Sequence, residues 1–200
     1  MLERLQEAVD AVEESRYDAI LLGYLLCGNG IAGLRALSAP LVIPRGHDCI
    51  TLFLGGKERY LEYFHSHPGV YFKTTGWIER GEGLVQLCDS SGLGRTLDEY
   101  VARYGEDNGR YLWEQLGDYT RNYRQLTFIE MGVEADGRFE DATREEAARR
   151  GWQFEKAAGD MGLFERLVNG NWSRLEFLEV PPGWRVVASE DEEIIRAEQA

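Results

Sequence analysis

The sequence predicts an α/β fold: a single domain with a mainly parallel sheet and flanking helices, a Rossmann-like three-layer architecture. Three observations carry this. Short apolar runs alternate with helix-like stretches along most of the 200 residues, as parallel strands joined by crossover helices require. Residues 18–26 are a nearly unbroken apolar run, the mark of a strand covered on both faces. Two turns rich in glycine and polar groups, 27–30 and 45–49, then fall at the carboxyl ends of their strands, where open α/β sheets bind ligands.

Taken in order, Leu2, Leu5, Val9 and Val12 share one face, so residues 2–15 are expected as a surface helix. Strand 18–26 and its turn lead into helical spacing over 31–37. Leu41-Val42-Ile43 reads as a second strand stopped by Pro44, and Ile50 to Leu54 as a helix. Helix 57–67 places Tyr60, Leu61 and Phe64 on its buried side and ends at Pro68-Gly69. Strand 70–74, a loop over 76–81 and an indeterminate stretch at 81–95 follow. Helices 97–104 and 111–123 flank a loop at 105–109, and their aromatic residues (Tyr100, Tyr104, Tyr111, Trp113, Tyr119, Tyr123) suit packing or a contact surface. Strand 126–131, helix 139–150 closed by Gly151, strand 152–155 and a helix from Asp160 to Val168 continue the alternation. Two short strands, 177–180 and 184–187, surround Pro181-Pro182-Gly183. The domain is expected to span 1–188, with 189–200 an acidic flexible tail.

The net charge of −13, from 22 basic and 35 acidic side chains, argues against nonspecific binding to nucleic acid or anionic lipid, which need basic surface. The first residues lack the basic end and apolar core of a signal peptide. No apolar run approaches the roughly 20 residues that span a bilayer. Three cysteines, an odd number, do not suggest a disulfide framework. A cytoplasmic protein is the expectation.

The chemically versatile side chains of the first half gather in the two turns: Cys27 and Asn29 in one, Arg45, His47, Asp48 and Cys49 in the other. Cys27, His47 and Cys49 are candidate metal ligands, because thiolate and imidazole suit zinc and softer ions. Gly28, Asn29, Gly30, Arg45 and Asp48 are candidate cofactor-binding groups. The glycine turn offers donors to an anion, Arg45 would hold a carboxylate or phosphate, and Asp48 would orient His47. Alternatives stay open on the same residues. Gly28, Gly30 and Gly33 form a G-x-G-x-x-G after a strand, and Asp48 follows at about the spacing of a ribose-binding acid, which describes a nucleotide-binding enzyme. Cys49 beside His47 could be a thiol nucleophile. A non-catalytic partner protein using its aromatic helices is a third class. His65 and His67 read as cap residues, Cys88 as a loop thiol, Glu79 and Arg80 as a surface ion pair. Glu130 and Asp160 are capping acids or members of the same crevice.

The segments GYLLCGNGIAGL, LVIPRGHDCITLFLG, RYLEYFHSHPGVYFKTTGWIE, GDMGLFERLVNGNW and FLEVPPG resemble the prokaryotic domain-of-unknown-function family numbered 1638. The resemblance covers nearly the whole chain and falls on Cys27, Gly28, Asn29, Gly30, His47, Asp48 and Cys49. It implies a soluble α/β protein with no assigned activity. Neighbouring genes for corrinoid-dependent methyltransferases, seen for some members, imply a place in anaerobic one-carbon metabolism. The implied cofactor is zinc or a corrinoid-related metallocofactor, and the implied partner a small-molecule ligand or a methyltransferase protein. Leu25 stands where the family pattern implies glycine, and the family's opening strand, with a further cysteine, is not seen ahead of Leu2.

Overall fold

The run Leu41-Val42-Ile43 becomes the centre of a small sheet. In the computed structural model, which describes residues 1–13, 16–79, 97–117 and 122–200, strand β2 (Leu41–Pro44) is buried at all four positions. It pairs in parallel with β1 (Ile20–Leu21), Ile20 opposite Leu41 and Leu21 opposite Val42. Alternation sends Leu41 and Ile43 into one apolar cluster, with Leu22, Leu26, Ile31, Leu34 and Ile195. Val42 enters a second, with Leu25, Leu52, Leu163, Leu167 and Phe177. Strand β2 is therefore covered on both faces. The expected strand 18–26 is regular only at Ile20–Leu21, where Ile20 is half-buried and Leu21, like Tyr24 further on, stays exposed. Each fully buried aliphatic side chain here contributes about 1.5–3 kcal/mol.

The chain divides into two compact units, Met1–His65 with Ala158–Ala200, and Ser66–Ala157. The first begins with α1 (Leu2–Asp10) and holds β1, β2, α2 (Ile50–Phe53) and most of α3 (Lys57–Ser66). The second contains β3 (Val70–Lys73), α4 (Thr75–Glu79), α5 (Leu97–Tyr104), α6 (Glu106–Leu112), a π-helical turn (Trp113–Gly117), β4 (Gln125–Glu130) and α7 (Arg138–Arg150). Strand β5 (Gln153–Ala158) ends at the junction. The chain then adds α8 (Gly162–Val168), β6 (Phe177–Val180), β7 (Trp184–Ala188) and β8 (Ile195–Gln199) to the first unit.

The class is mixed α/β, and β3 and β4 also pair in parallel. The sheets are nevertheless small and split: β1-β2-β6, β3-β4-β5 and β7-β8, with β6 antiparallel to β2. One continuous Rossmann-like sheet is not what these strands form. Three local expectations also change. Residues 31–37 are not a helix. Gly33, at φ +95°, turns the chain so that its N–H donates to the Val186 carbonyl at 2.8 Å. Val186 donates to Leu34 and Ala36 to Trp184, and Arg35 bridges Arg185, so the segment lies extended beside β7. The acidic end from 189 is not a free tail, because β8 pairs with β7 over five residues and Ile195 is fully buried. Helix α3 buries none of its residues, and Leu61 and Phe64 are exposed.

In the second unit Gly151 ends α7 in the left-handed conformation that glycine adopts at low cost, as its position predicted. The expected loop at 105–109 shrinks to Gly105, and α6 starts at once. Gly109 lies against α5, where a Cβ would stand 2.6 Å from the Val101 Cα. Gly109→Ala should therefore destabilise by about 1–3 kcal/mol through overpacking. Urea denaturation measures it, and an unchanged midpoint would show that the two helices can move apart freely. The stretch 81–95 with Cys88, together with Arg80 and Tyr119, lies outside the described residues.

Candidate functional site

Backbone hydrogen bonds carry the pairing of the first two strands past their regular ends. Leu22 donates to Val42, Leu26 to Gly46, and Cys27 to the His47 carbonyl at 2.8 Å. The two turns are thereby laid side by side. Gly46 makes the approach possible, since a Cβ there would fall 2.2 Å from Leu25 Cδ2 and 2.9 Å from Thr51 Cβ.

The first turn is left-handed at three successive residues: φ is +43° at Cys27, +64° at Gly28 and +67° at Asn29. For Cys27 and Asn29 this costs about 1–3 kcal/mol each, a strain that clusters at functional sites. It is held by the Cys27–His47 bond and by Gly30 N–H donating to Leu26 at 2.7 Å. No helix follows, so the glycine turn lacks the helix amino terminus that a dinucleotide pyrophosphate needs.

The result is a thiol pair. Cys27 is exposed, Cys49 is partly buried, and their thiols lie near enough for each to shift the other's titration. Donation from the Cys49 thiol lowers the Cys27 pKa from 9.0 to about 7, against the opposing effects of burial and the Asp48 carboxylate. The same hydrogen bond, then burial and the neighbouring negative charges, push the Cys49 pKa up. Near neutral pH Cys27 is therefore partly ionised while Cys49 keeps its proton.

The other candidates are placed differently. Asp48 accepts the Ile50 N–H at 3.0 Å and the Tyr60 hydroxyl at 3.1 Å, which engages both carboxylate oxygens without His47. Burial first, then Asp48, raises the Tyr60 pKa. His47 is exposed and lines a cavity with Thr51 and Tyr60, which neither cysteine lines. Among the described residues no three His, Cys, Asp or Glu side chains converge as a metal-ligating group. Arg45 is buried, and its guanidinium donates to the carbonyls of Arg174, Phe177, Glu193 and Ile195. It fastens the second turn to β6 and β8, a role its sequence neighbours do not signal.

Outside the two turns, Asp160 accepts the Gly162 N–H at 2.7 Å as a helix-start acid, and Glu130 pairs with Lys156 at 3.3 Å. His67 contacts Glu155 at 3.3 Å. Of the helical aromatics Tyr100 is buried, while Tyr104, Tyr111 and Trp113 are exposed. Thr51 carries no signal in the sequence, and Tyr60 reads there only as a packing residue. Tyr60 sits on a helix face read as core, and only the fold aims its hydroxyl at Asp48.

No helix among the described residues is long and apolar enough to cross a membrane. No curated protein and no solved structure matches the chain. The family described as "Protein of unknown function (DUF1638)" matches over residues 1–168, which takes in the thiol pair, both turns and the whole second unit. With well over half its length matched, and with the motif around Cys27 and Cys49 inside the match, the chain belongs to the DUF1638 family.

Proposed function

We propose that the protein binds a soft metal ion, or a cofactor that carries one, between Cys27 and Cys49. The observation that supports this is the contact of two thiols from turns 22 residues apart, one of them open to solvent. Two sulfur donors suit a soft monovalent ion such as Cu(I), or a metal centre that brings most of its own ligands. They do not complete the four-ligand set of a structural zinc site, because His47 lines a separate cavity. A corrinoid-related metallocofactor is compatible with this donor set, and a place in methyl transfer rests on the family resemblance. Asn29, Gly28 and Gly30, on the exposed turn beside Cys27, would meet the ligand's periphery.

The experiment is anaerobic titration with Cu(I) and with Zn²⁺, followed by elemental analysis. The unmodified protein, Cys88→Ser and His47→Ala should retain one equivalent, and Cys27→Ser and Cys49→Ser should retain none. Equal metal content in all five proteins removes the reading. Loss in His47→Ala as well would restore the three-ligand site.

The thiol contact also favours a second reading, thiol–disulfide exchange. Cys27 thiolate would attack a low-molecular-weight disulfide, forming a mixed disulfide and expelling one thiolate. Cys49 would then lose its proton, attack the Cys27 sulfur and expel the second. Cys49→Ser should stop at the mixed disulfide, a stable adduct that intact mass measures. Its absence in a glutathione buffer would exclude exchange.

A further inference from the structure

The cavity that His47 lines with Thr51 and Tyr60 includes neither Cys27 nor Cys49 in its wall and has a volume of about 460 Å³. That is within the range of small-molecule sites. Its wall combines apolar surface from Tyr60, Leu61 and Ile194 with a buried polar group that has no partner. Thr51 is 1% exposed, and its hydroxyl makes no hydrogen bond. A helical threonine commonly donates to the carbonyl four residues back. Here that carbonyl belongs to His47 and already receives the Cys27 N–H. The Thr51 hydroxyl does not share that carbonyl and finds no other partner among the described residues. An orphaned buried hydroxyl costs about 1–3 kcal/mol, and a native structure keeps one for a reason.

The mouth of the cavity is acidic. Glu58, Glu190, Asp191 and Glu192 line it, against Lys57, whose ammonium is directed to the Glu192 carbonyl at 3.3 Å. Asp191 is fixed by the Glu193 N–H at 2.9 Å. Arg45 and Arg196 offset the Asp191 charge, and the remaining carboxylates around the one ammonium make a field that draws in cations. The apolar wall between mouth and hydroxyl suits a short hydrocarbon body.

We propose that this cavity binds a small organic cation, with its ammonium among the mouth carboxylates and a hydrogen-bonding group at its far end paired with the Thr51 hydroxyl. An amino alcohol has this chemistry. The inference does not depend on metal binding by Cys27 and Cys49. The loop that supplies residues 190–192 also lies beyond the residues matched by the family, 1–168.

The test is calorimetric titration with linear amino alcohols from ethanolamine upward, alongside the alkylamine and the diol of each length. At least one amino alcohol should bind about tenfold more tightly than its matching amine, which cannot satisfy Thr51. It should also exceed the diol, which carries no charge, with a preference that shrinks as salt is added. Thr51→Val should abolish the advantage over the amine while leaving Tm unchanged or raised, since it removes an unsatisfied hydroxyl. Glu190→Gln combined with Glu192→Gln should abolish the advantage over the diol. The proposal is overturned if no amino alcohol binds, if the diol binds equally well, or if Thr51→Val leaves the affinities as they were. Cu(I) content of the same preparations separates this result from the fate of the thiol site.

Discussion

Replacing Arg45 with methionine is expected to cost several kcal/mol of stability, since each buried carbonyl left without its donor costs about 1–3 kcal/mol. The guanidinium is 9% exposed and satisfies four carbonyls drawn from Arg174, Phe177, Glu193 and Ile195. Methionine fills a similar volume but donates nothing, so buried carbonyls at the starts of β6 and β8 lose their partner together. Lysine should recover little, because a single ammonium cannot reproduce the planar fork. The Glu193 carboxylate, at 3.8 Å and largely exposed, is a minor part of the effect. Urea denaturation of the variant measures the loss. A loss below about 1 kcal/mol would mean that water replaces the guanidinium, and would return Arg45 to the role of an anion-binding group.

Alkylation of Cys27 should follow a titration with its midpoint near pH 7, and should slow about tenfold at that pH when Cys49 becomes alanine. Removing Cys49 takes away the donor that holds Cys27 ionised and leaves the burial and the Asp48 charge that oppose ionisation. Cys49→Ser keeps a hydroxyl donor and should retain part of the reactivity. Iodoacetamide kinetics followed by peptide mass spectrometry, in a Cys88→Ser background, reads all three. An identical pH profile with and without Cys49 would show that the two sulfurs do not interact in solution. The Cys27 value is depressed on folding from 9.0 to about 7, so its contribution to stability is complete above the unfolded value and lost as pH falls through about 7. Cys49 acts oppositely. Its raised value favours the thiol, so its contribution is present below the unfolded value and lost as pH rises through the folded one. Metal binding must strip the proton from Cys49, so affinity should rise with pH.

Several features of this protein were legible in residue order alone. The apolar run at 41–43 announced a strand buried on both faces, because only an interior strand tolerates unbroken hydrophobicity. The run at 18–26, by contrast, became a strand only at Ile20–Leu21 and left Leu21 and Tyr24 exposed. A polar turn after each run marked where side chains from the two turns would meet, since neighbouring parallel strands bring their carboxyl ends together. Cys27 and Cys49 accordingly do meet. Gly151 closed its helix where expected. These are local properties, written in backbone preference and in the period of side-chain burial.

The rest was decided by partners distant in sequence. Residues 31–37 have helical spacing, yet the edge of β7, about 150 residues away, offers backbone hydrogen bonds that an isolated turn of helix cannot match. The acidic end looked solvated because its charges outnumber its apolar residues. Ile194 and Ile195 reach the core, and that burial orders the strand after them. Arg45 and His47 stand two residues apart in one turn, but the fold buries one under carbonyls and opens the other to a cavity. Residue type determined which chemistry was on offer in this protein. Which of those groups share a site was determined by long-range pairing, whose energy comes from contacts that no local window contains.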